Sequence, residues 1–294
     1  LSPVPCPLSP VPCPLSPVSC LLTYTALMPA SPSSAVVRIT RIEHGLAVQD
    51  DDRVAIEEPL EIRIGDEPLA VTMRTPTGLE HDRALAAGFC LTEGIIAHAD
   101  ELESVEPCTI AEYGNVVIVR LTEEATTRRA ACVSSARREL YMSSSCGLCG
   151  KQSIDRLRQS APPIKGEFTV THDTLASLPD RMRAAQSTFD TTGGLHAATL
   201  FTPAGELRLL REDVGRHNAV DKLIGAALLT GQVPIDPGIL LVSGRTSFEI
   251  VQKAAMAGIA CIAAVSAPSS LAVTTAADLG ITLVGFLRQS RMNV

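Results

Sequence analysis

Polar and apolar residues alternate along the first third of the chain, a pattern that predicts short, half-buried strands. Three segments show it: AVVRITRI, PLEIRIG and EPLAVTMRTP. From residue 78 to residue 96 the apolar positions follow a helical period instead, and NVVIVRL predicts a further strand. We therefore predict a small α+β domain over residues 35–122, with Glu80 and His81 in an exposed polar first turn of its helix.

Helices and strands are predicted to alternate regularly over residues 166–294. One helix is followed by two strands around a tight turn, then by three strand–helix alternations and a closing strand. This order predicts a three-layer α/β domain with a mostly parallel sheet. Ligands of such sheets bind beyond the carboxyl ends of the strands. Residues 123–165 form a region that connects the two predicted domains.

The chain begins with the proline-rich unit LSPVPCP, repeated almost three times. Proline at this density cannot build a packed element, so we expect residues 1–34 to be a disordered tail. The favoured interpretation is a start site placed too far upstream, with Met28 as the true first residue. Cys6, Cys13 and Cys20 then follow from the repeat and have no chemical role.

Composition and charge disfavour several classes of protein. The 294-residue chain has a formal net charge of −7, which argues against general nucleic-acid binding but allows a local basic pocket. Its apolar runs are too short for a membrane-spanning helix, so we expect no membrane association. The first charged residue is Arg38, so the basic start of a signal peptide is missing, and the cysteine spacing is not that of a disulfide framework. We therefore expect a cytoplasmic protein.

Small and polar residues occupy three successive turns between predicted strands and helices, in the segments REDVGRHN, SGRTS and SAPSS. Glycine lets backbone N–H groups approach an anion, and a helix N-terminus carries partial positive charge. Arg216, His217 and Arg245 lie in these turns, which favours a polyanionic ligand such as a nucleotide phosphate over plain capping. In TTGGLHAA, Gly194 and His196 lie at the entry of a strand, where a structural and a functional histidine are about equally expected.

The segment SSSCGLCGKQS contains Cys146 and Cys149, the one close pair of thiols outside the repeat, and allows three interpretations. Structural zinc needs two further ligands at suitable spacing, and the zinc deaminase signature does not occur. A thioredoxin-like dithiol should directly follow a strand, whereas a serine run precedes this pair. A persulfide carrier needs a reachable thiolate on a loop, and the adjacent Gly147 and Gly150 leave the sulfurs uncrowded. Zinc is the least favoured of the three.

Five motifs together resemble the FdhD family of formate dehydrogenase accessory sulfurtransferases: SSSCGLCGK, TGGLHAA, REDVGRHNAVDKLIG, VSGRTSFEIVQKAAMAGI and SAPSSLAV. The resemblance implies a cytidine-deaminase-like fold for the C-terminal domain and a homodimer. It further implies that a cysteine desulfurase loads a persulfide onto the cysteine loop. The protein would pass this sulfur to a molybdenum or tungsten bis-(molybdopterin guanine dinucleotide) cofactor, which is then inserted into formate dehydrogenase.

The same resemblance assigns roles to single residues. Cys146 corresponds to the family's persulfide cysteine, and Cys149 takes an auxiliary role. The family's cofactor-binding stretch follows the final strand and corresponds to Phe286, Leu287, Arg288, Gln289, Ser290 and Arg291. No metal ligand is implied, so zinc is not expected. Two alternatives stay open, a zinc-dependent deaminase-like enzyme and a chaperone that binds the cofactor without moving sulfur.

Overall fold

The computed structural model of the chain describes residues 33–108, 115–127, 161, 169–289 and 291–294. Its strands are β1 (Ser34–Glu43), β2 (Leu46–Ala55), β3 (Glu58–Ile64), β4 (Glu67–Arg74), β5 (Leu102–Pro107), β6 (Val116–Leu121), β7 (His196–Phe201), β8 (Leu207–Asp213), β9 (Ile239–Val242), β10 (Cys261–Ala264), β11 (Thr282–Arg288) and β12 (Arg291–Asn293). The α-helices used below are α1 (Leu79–Thr92), α2 (His172–Ala185), α3 (Ser187–Thr192), α4 (Arg216–Leu229), α5 (Phe248–Met256) and α6 (Ser270–Leu279).

Two of the three sheets belong to the N-terminal part of the chain. β1 and β2 pair as a long antiparallel hairpin. The second sheet has the order β4-β3-β6-β5, with β3 parallel to β6 and antiparallel neighbours at both ends. The sequence pattern missed β2 and β5, because neither strand buries a continuous apolar face: β2 is exposed along nearly its whole length, and β5 carries glutamates between half-buried residues.

The third sheet has six strands in the order β12-β11-β10-β9-β7-β8. β9, β10 and β11 run parallel, whereas β7 is antiparallel to both of its neighbours and β12 turns back along β11. The sheet is therefore mixed, and the expectation of a mostly parallel sheet is wrong. The reason is local, because short turns connect β7 to β8 and β11 to β12, and strands joined by so short a turn pair antiparallel.

Helices α1 and α4 cross so closely that their backbones touch. A Cβ atom on Gly225 would lie 1.8 Å from the Ala84 carbonyl oxygen, and one on Gly88 would lie 2.0 Å from the Asp221 carbonyl oxygen. Any side chain at either position would push the helices apart, so only glycine fits. These two glycines set the distance between the N-terminal helix and the helix that follows β8.

One hydrophobic cluster extends from the four-stranded sheet through α1 and α4 to one face of the six-stranded sheet. Its members include Leu60 on β3, Leu223 on α4 and Leu240 on β9, all fully buried. A second cluster fills the opposite face of the six-stranded sheet beneath α2. The mixed α/β architecture expected from the sequence is confirmed. The cytidine-deaminase-like layering and the division into separate domains stay predictions, and the described core is continuous between the two parts.

Candidate functional site

Strand ends and turns gather along one edge of the six-stranded sheet. The carboxyl ends of β8, β9, β10 and β11 lie there with the amino end of β7, because His196 pairs with Asp213 and Ala198 with Val242. We call this edge, with the turns 214–217, 243–247 and 265–269, the carboxyl edge. The expected convergence of the three polar turns is thus confirmed.

Hydrogen bonds connect the turns of the carboxyl edge to one another. The Ser243 hydroxyl accepts from the Ala197 amide at 2.9 Å. The Thr246 amide donates to the Ala267 carbonyl at 3.2 Å, and the Ser269 amide donates to the Thr246 carbonyl at 2.9 Å. Because every turn is tied to a neighbouring strand or turn, the edge forms one connected rim rather than independent loops.

Arg216, the first residue of α4, lies close to Gly244 in the turn after β9, and Gly244 lies close to His196. A Cβ atom on Gly244 would lie 3.8 Å from the Arg216 Cβ and 3.3 Å from His196 Nδ1, so the three residues are close neighbours. The Arg216 Nε is buried and has no hydrogen-bond partner among the described residues. An unpaired buried donor is costly, and a charged acceptor on a ligand would satisfy it.

Two histidines beside Arg216 are held in the neutral form. Burial, reinforced by the positive charge of Arg216, lowers the pKa of His217 to about 4, and the same two causes lower the pKa of His196. His217 Nε2 lies 3.3 Å from the Ser247 hydroxyl, which links the start of α4 to the turn before α5. A neutral imidazole both donates and accepts hydrogen bonds, so the carboxyl edge can bind an anion without a fixed imidazolium.

A buried carboxylate holds the turn that opens α4. Asp213 is fully buried, and its Oδ1 accepts from the Gly215 amide at 2.8 Å and from Asn218 Nδ2 at 3.2 Å. Its Oδ2 accepts from Lys222 Nζ at 2.6 Å and from the Thr75 amide at 3.1 Å. Four donors therefore satisfy one carboxylate, and one of them comes from the segment between β4 and α1.

A second buried ion cluster lies between α1, α4 and α5. Lys253 Nζ is 3.0 Å from Asp221 Oδ2 and 3.0 Å from Glu93 Oε1, and it donates to the Thr92 hydroxyl at 3.0 Å. Burial opposes the charge on Lys253, but the two carboxylates outweigh it and raise its pKa. Buried charges persist only when they are paired, so we assign this cluster to helix packing and not to the carboxyl edge.

The stretch that the family resemblance assigns to cofactor binding bends sharply at the end of β11. Phe286 and Gln289 have positive φ angles of 54° and 50°, a conformation that residues other than glycine rarely adopt. The Phe286 side chain is 40% exposed, whereas Leu287 is fully buried in the second core cluster. Arg288 and Arg291 are exposed and pair across the β11–β12 turn. The ring and the guanidinium groups are available to a ligand, while Leu287 can offer only its backbone.

The remaining predicted residues lie at the margin of this edge or outside the described ranges. Gly194 is exposed before β7, and a Cβ atom there would approach nothing closer than Ala55 at 3.7 Å. Arg245 is exposed in the turn after β9. The predicted site residues that lie outside the described ranges are Cys146, Cys149 and Ser290.

The sequence pattern did not predict that His81, beside the carboxyl edge, is largely buried. The expected exposed first turn of α1 fits Glu80, but it is wrong for His81, whose side chain is 24% exposed and whose Nδ1 is buried without a partner. Burial, together with the charges of Arg211 and Lys222, lowers the pKa of His81 to about 4. No local pattern indicates the burial of His81, because it results from the packing of α1 against α4.

Buried thiols and possible metal ligands in the described ranges offer no further reactive group. Cys90 and Cys261 are buried, and burial raises the pKa of each thiol to about 12, which keeps both protonated. Among the described residues, no group of three or more histidine, cysteine, aspartate or glutamate side chains could hold a metal ion. None of the described helices is long and apolar enough to cross a membrane.

Comparisons with known proteins agree with one another. The model of the FdhD/NarQ family matches residues 55–294. The chain is 52% identical over 269 residues to a sulfur carrier protein FdhD of Streptomyces avermitilis, covering 87% of this chain and 92% of that protein. For the protein of the same name from Mycolicibacterium paratuberculosis, the identity is 46% over 262 residues, with 87% and 94% covered. A crystal structure assigned to a formate dehydrogenase accessory protein of Desulfotalea psychrophila matches with a TM-score of 0.70 at 25% identity, covering 90% of this chain and 96% of that chain.

Proposed function

Since the chain belongs to the FdhD/NarQ family of sulfur carriers and formate dehydrogenase accessory proteins, we propose that it moves persulfide sulfur to a molybdenum or tungsten bis-(molybdopterin guanine dinucleotide) cofactor. The donor is a cysteine desulfurase, and the cofactor is destined for formate dehydrogenase. The unpartnered, buried Nε of Arg216 carries the acceptor half of this proposal. A guanine dinucleotide presents diphosphates, and arginine binds phosphate oxygens through strong, charge-assisted hydrogen bonds.

Cys146 carries the sulfur in this proposal. Its thiolate attacks the outer sulfur of the desulfurase persulfide, so that an S–S bond forms on Cys146 and the desulfurase cysteine leaves as a thiolate, with no net gain or loss of electrons. Release of the outer sulfur as sulfide requires two electrons. The Cys149 thiolate supplies them when it attacks the Cys146 sulfur, forms a disulfide and expels hydrosulfide to the acceptor. Two cellular thiols then reduce the Cys146–Cys149 disulfide by thiol–disulfide exchange and are themselves oxidised to a disulfide.

The carboxyl edge is the proposed acceptor site. Neither α4 nor α5 has a side-chain hydrogen bond at its N-cap, whereas the Ser269 hydroxyl caps α6. The first amides of α4 are therefore available to phosphate oxygens, which the partial charge of a helix N-terminus also attracts. At the start of α5, by contrast, the Glu249 carboxylate hydrogen-bonds to Ser247 and to its own amide. The exposed ring of Phe286 offers a stacking surface for a guanine base. Exposed arginines of this region add positive charge, namely Arg245, Arg288 and Arg291.

Partners and location follow from the same proposal. A homodimer in the cytoplasm would meet both the desulfurase and formate dehydrogenase. The reducing conditions there would keep the two thiols of the cysteine pair reduced between cycles. A cofactor chaperone that does not move sulfur is the second candidate. The carboxyl edge supports it equally well, because phosphate binding at this edge does not require the cysteine pair.

Persulfide loading separates the carrier from the chaperone. After incubation with a cysteine desulfurase and cysteine, the peptide that contains Cys146 should gain the mass of one sulfur atom. Cys146→Ser should abolish this gain. Cys149→Ser should retain it, and the persulfide on Cys146 should accumulate because release of its outer sulfur is blocked. Cys108→Ser changes a partly exposed thiol elsewhere and should load normally. Absence of loading in the unaltered protein would favour the chaperone.

Binding of GDP tests the acceptor site independently of the cysteines. Arg216→Gln should lower the GDP affinity about tenfold or more, because a hydrogen bond to a charged group is lost. Arg208→Gln is the matched control, since Arg208 lies near the far end of β8 and pairs with Gln232. Titration calorimetry gives both affinities, and equal affinities for the two variants would remove Arg216 from the site.

A further inference from the structure

A second group of unsatisfied side chains lies where the segment between β4 and α1 meets strand β8. Thr75, Thr77, His81 and Arg211 each contain a buried nitrogen or oxygen atom that has no hydrogen-bond partner in the described part of the chain. We call these four residues the junction cluster. Buried polar groups are paired in the great majority of cases, so four unpaired atoms on two adjoining segments call for a physical explanation.

Asp213 connects the two halves of the junction cluster. The Thr75 amide donates to Asp213 Oδ2 at 3.1 Å, and the Thr75 carbonyl accepts from Lys222 Nζ at 2.9 Å. Arg211 and Asp213 are two residues apart on β8, so their side chains point to the same face of the sheet. Since Asp213 contacts the segment that leads into α1, Arg211 faces that segment too.

Two of the three acidic residues near this cluster, Asp213 and Asp82, already have hydrogen-bond partners within the protein. Asp213 is satisfied by four donors, and both oxygens of Asp82 accept from Arg74, at 2.9 and 3.0 Å. Glu80 is the acidic group whose charge acts on Arg211, and its side chain is 75% exposed, so it is free to move aside. Burial nevertheless lowers the pKa of Arg211, which means that its positive charge is incompletely compensated. An anion would compensate it.

The unpaired atoms can all act as hydrogen-bond donors. Arg211 Nε carries a hydrogen, both threonine hydroxyls can donate, and a neutral His81 can carry its hydrogen on Nδ1. The Thr75 side chain is fully buried, whereas Thr77, His81 and Arg211 are partly exposed to solvent. Several donors around one uncompensated guanidinium match the acceptor-rich surface of a tetrahedral oxyanion and would repel a cation.

We propose that Thr75, Thr77, His81 and Arg211 form a binding subsite for a phosphate group. Asp213 also holds the Gly215 amide directly before Arg216, so this subsite adjoins the carboxyl edge. A diphosphate can place one phosphate at Arg216 and the other in the junction cluster. In assigning both phosphates to one nucleotide, the inference rests on the proposed function. The binding of phosphate itself does not.

Thr75→Val gives the sharpest test, because it removes the hydroxyl while keeping the shape of the side chain. The hydroxyl has no partner within the protein, so the thermal midpoint should stay the same or rise. Affinity for inorganic pyrophosphate should fall by about threefold to tenfold, since one hydrogen bond to the ligand is lost. Thr199→Val is the matched control: Thr199 is also fully buried and unpartnered, but it lies on the opposite face of the sheet. It should not change pyrophosphate binding.

Arg211→Gln should have the larger effect, about tenfold or more on pyrophosphate affinity, because a charged donor is removed. Arg208→Gln on the same strand should bind as the unaltered protein does. Calorimetric titration at low salt measures the pyrophosphate affinity of each of the four variants, and circular dichroism checks that each is folded. If Arg211→Gln unfolds, Thr75→Val still decides the matter.

Three results would overturn the subsite. The unaltered protein could fail to bind millimolar pyrophosphate, Thr75→Val and Arg211→Gln could bind it with unchanged affinity, or the control variants could lose as much affinity as these two. Loss of GDP binding in Arg216→Gln, with full binding in Arg211→Gln and Thr75→Val, would reject the subsite and leave the proposed function standing. Failure of persulfide loading would reject the sulfur carrier and leave the subsite standing.

Discussion

Lys222 and Arg216 are two cations on the same helix, and their environments differ. Lys222 is fully buried, and its ammonium group is held by Asp213 and by the Thr75 carbonyl. Arg216 lies at the carboxyl edge, and none of the described residues accepts a hydrogen bond from its buried Nε. The charge of Lys222 is thus paired within the protein and stabilises the fold, whereas the unpaired donor of Arg216 is available to a ligand.

The same contrast separates the two glycine-rich regions. Gly88 and Gly225 let two helix backbones touch, so their lack of a side chain serves packing. Gly244 lies beside a strand end, where its lack of a side chain leaves room near His196 and Arg216. Glycine by itself therefore does not indicate a binding site, and the neighbouring atoms decide which role it has.

Breaking the buried ion pair should give the largest effect. Lys222→Met leaves the Asp213 carboxylate without its counter-charge, and we expect a loss of about 3–5 kcal/mol in the free energy of unfolding. Urea titration measures it. Arg216→Gln, on the same helix but at the carboxyl edge, should change stability by less than about 0.5 kcal/mol. Adding Asp213→Asn to Lys222→Met should restore part of the loss, because the uncompensated charge disappears. Equal free energies of unfolding for Lys222→Met and Arg216→Gln would contradict the difference proposed between the two cations.

Opening the helix crossing should cost somewhat less. Gly225→Ala forces α1 and α4 apart, since its Cβ would lie 1.8 Å from a backbone oxygen, and we expect a loss of about 3 kcal/mol. Gly194→Ala introduces the same methyl group where nothing lies closer than 3.7 Å, so its effect should stay below about 1 kcal/mol. Thermal and urea unfolding of the pair would show it. A Gly225→Ala protein of normal stability would mean that the helices can separate freely.

Acid should give the smallest effect of the three. His217 has an ordinary pKa of 6.5 that the fold lowers to about 4, so the unfolded chain takes up a proton first as the pH falls. The stabilisation is therefore complete above pH 6.5 and is lost progressively down to about pH 4. His217→Asn should reduce this loss by about 1 kcal/mol, allowing for partial exposure to solvent. The exposed His98→Asn is the control, and an unchanged pH profile in His217→Asn would contradict the prediction.

Much of the fold and part of the candidate site could be predicted from local patterns. The helices α4, α5 and α6 and the strands β9, β10 and β11 follow from hydrophobic period and from the turns between them. The polar turns indicated the carboxyl edge, because the carboxyl ends of neighbouring parallel strands lie at the same edge of a sheet. β2 escaped prediction because it is exposed along nearly its whole length and so has no buried face to impose a period. The hairpin turn at Pro203–Gly205 was predicted, but the antiparallel pairing of β7 with β9 was not.

What the sequence by itself determined is local: the periods of its helices and strands, the small residues of its turns, the cysteine pair, and through five motifs its family. The tertiary structure alone decided which distant residues meet. Thr75 reaches Asp213, and His81 reaches the neighbourhood of Arg211, only because two glycines let α1 and α4 pack backbone to backbone. Periodicity and turn chemistry depend on neighbours in the chain. Burial, pairing of charges and unsatisfied donors depend on neighbours in space, and no local pattern records them.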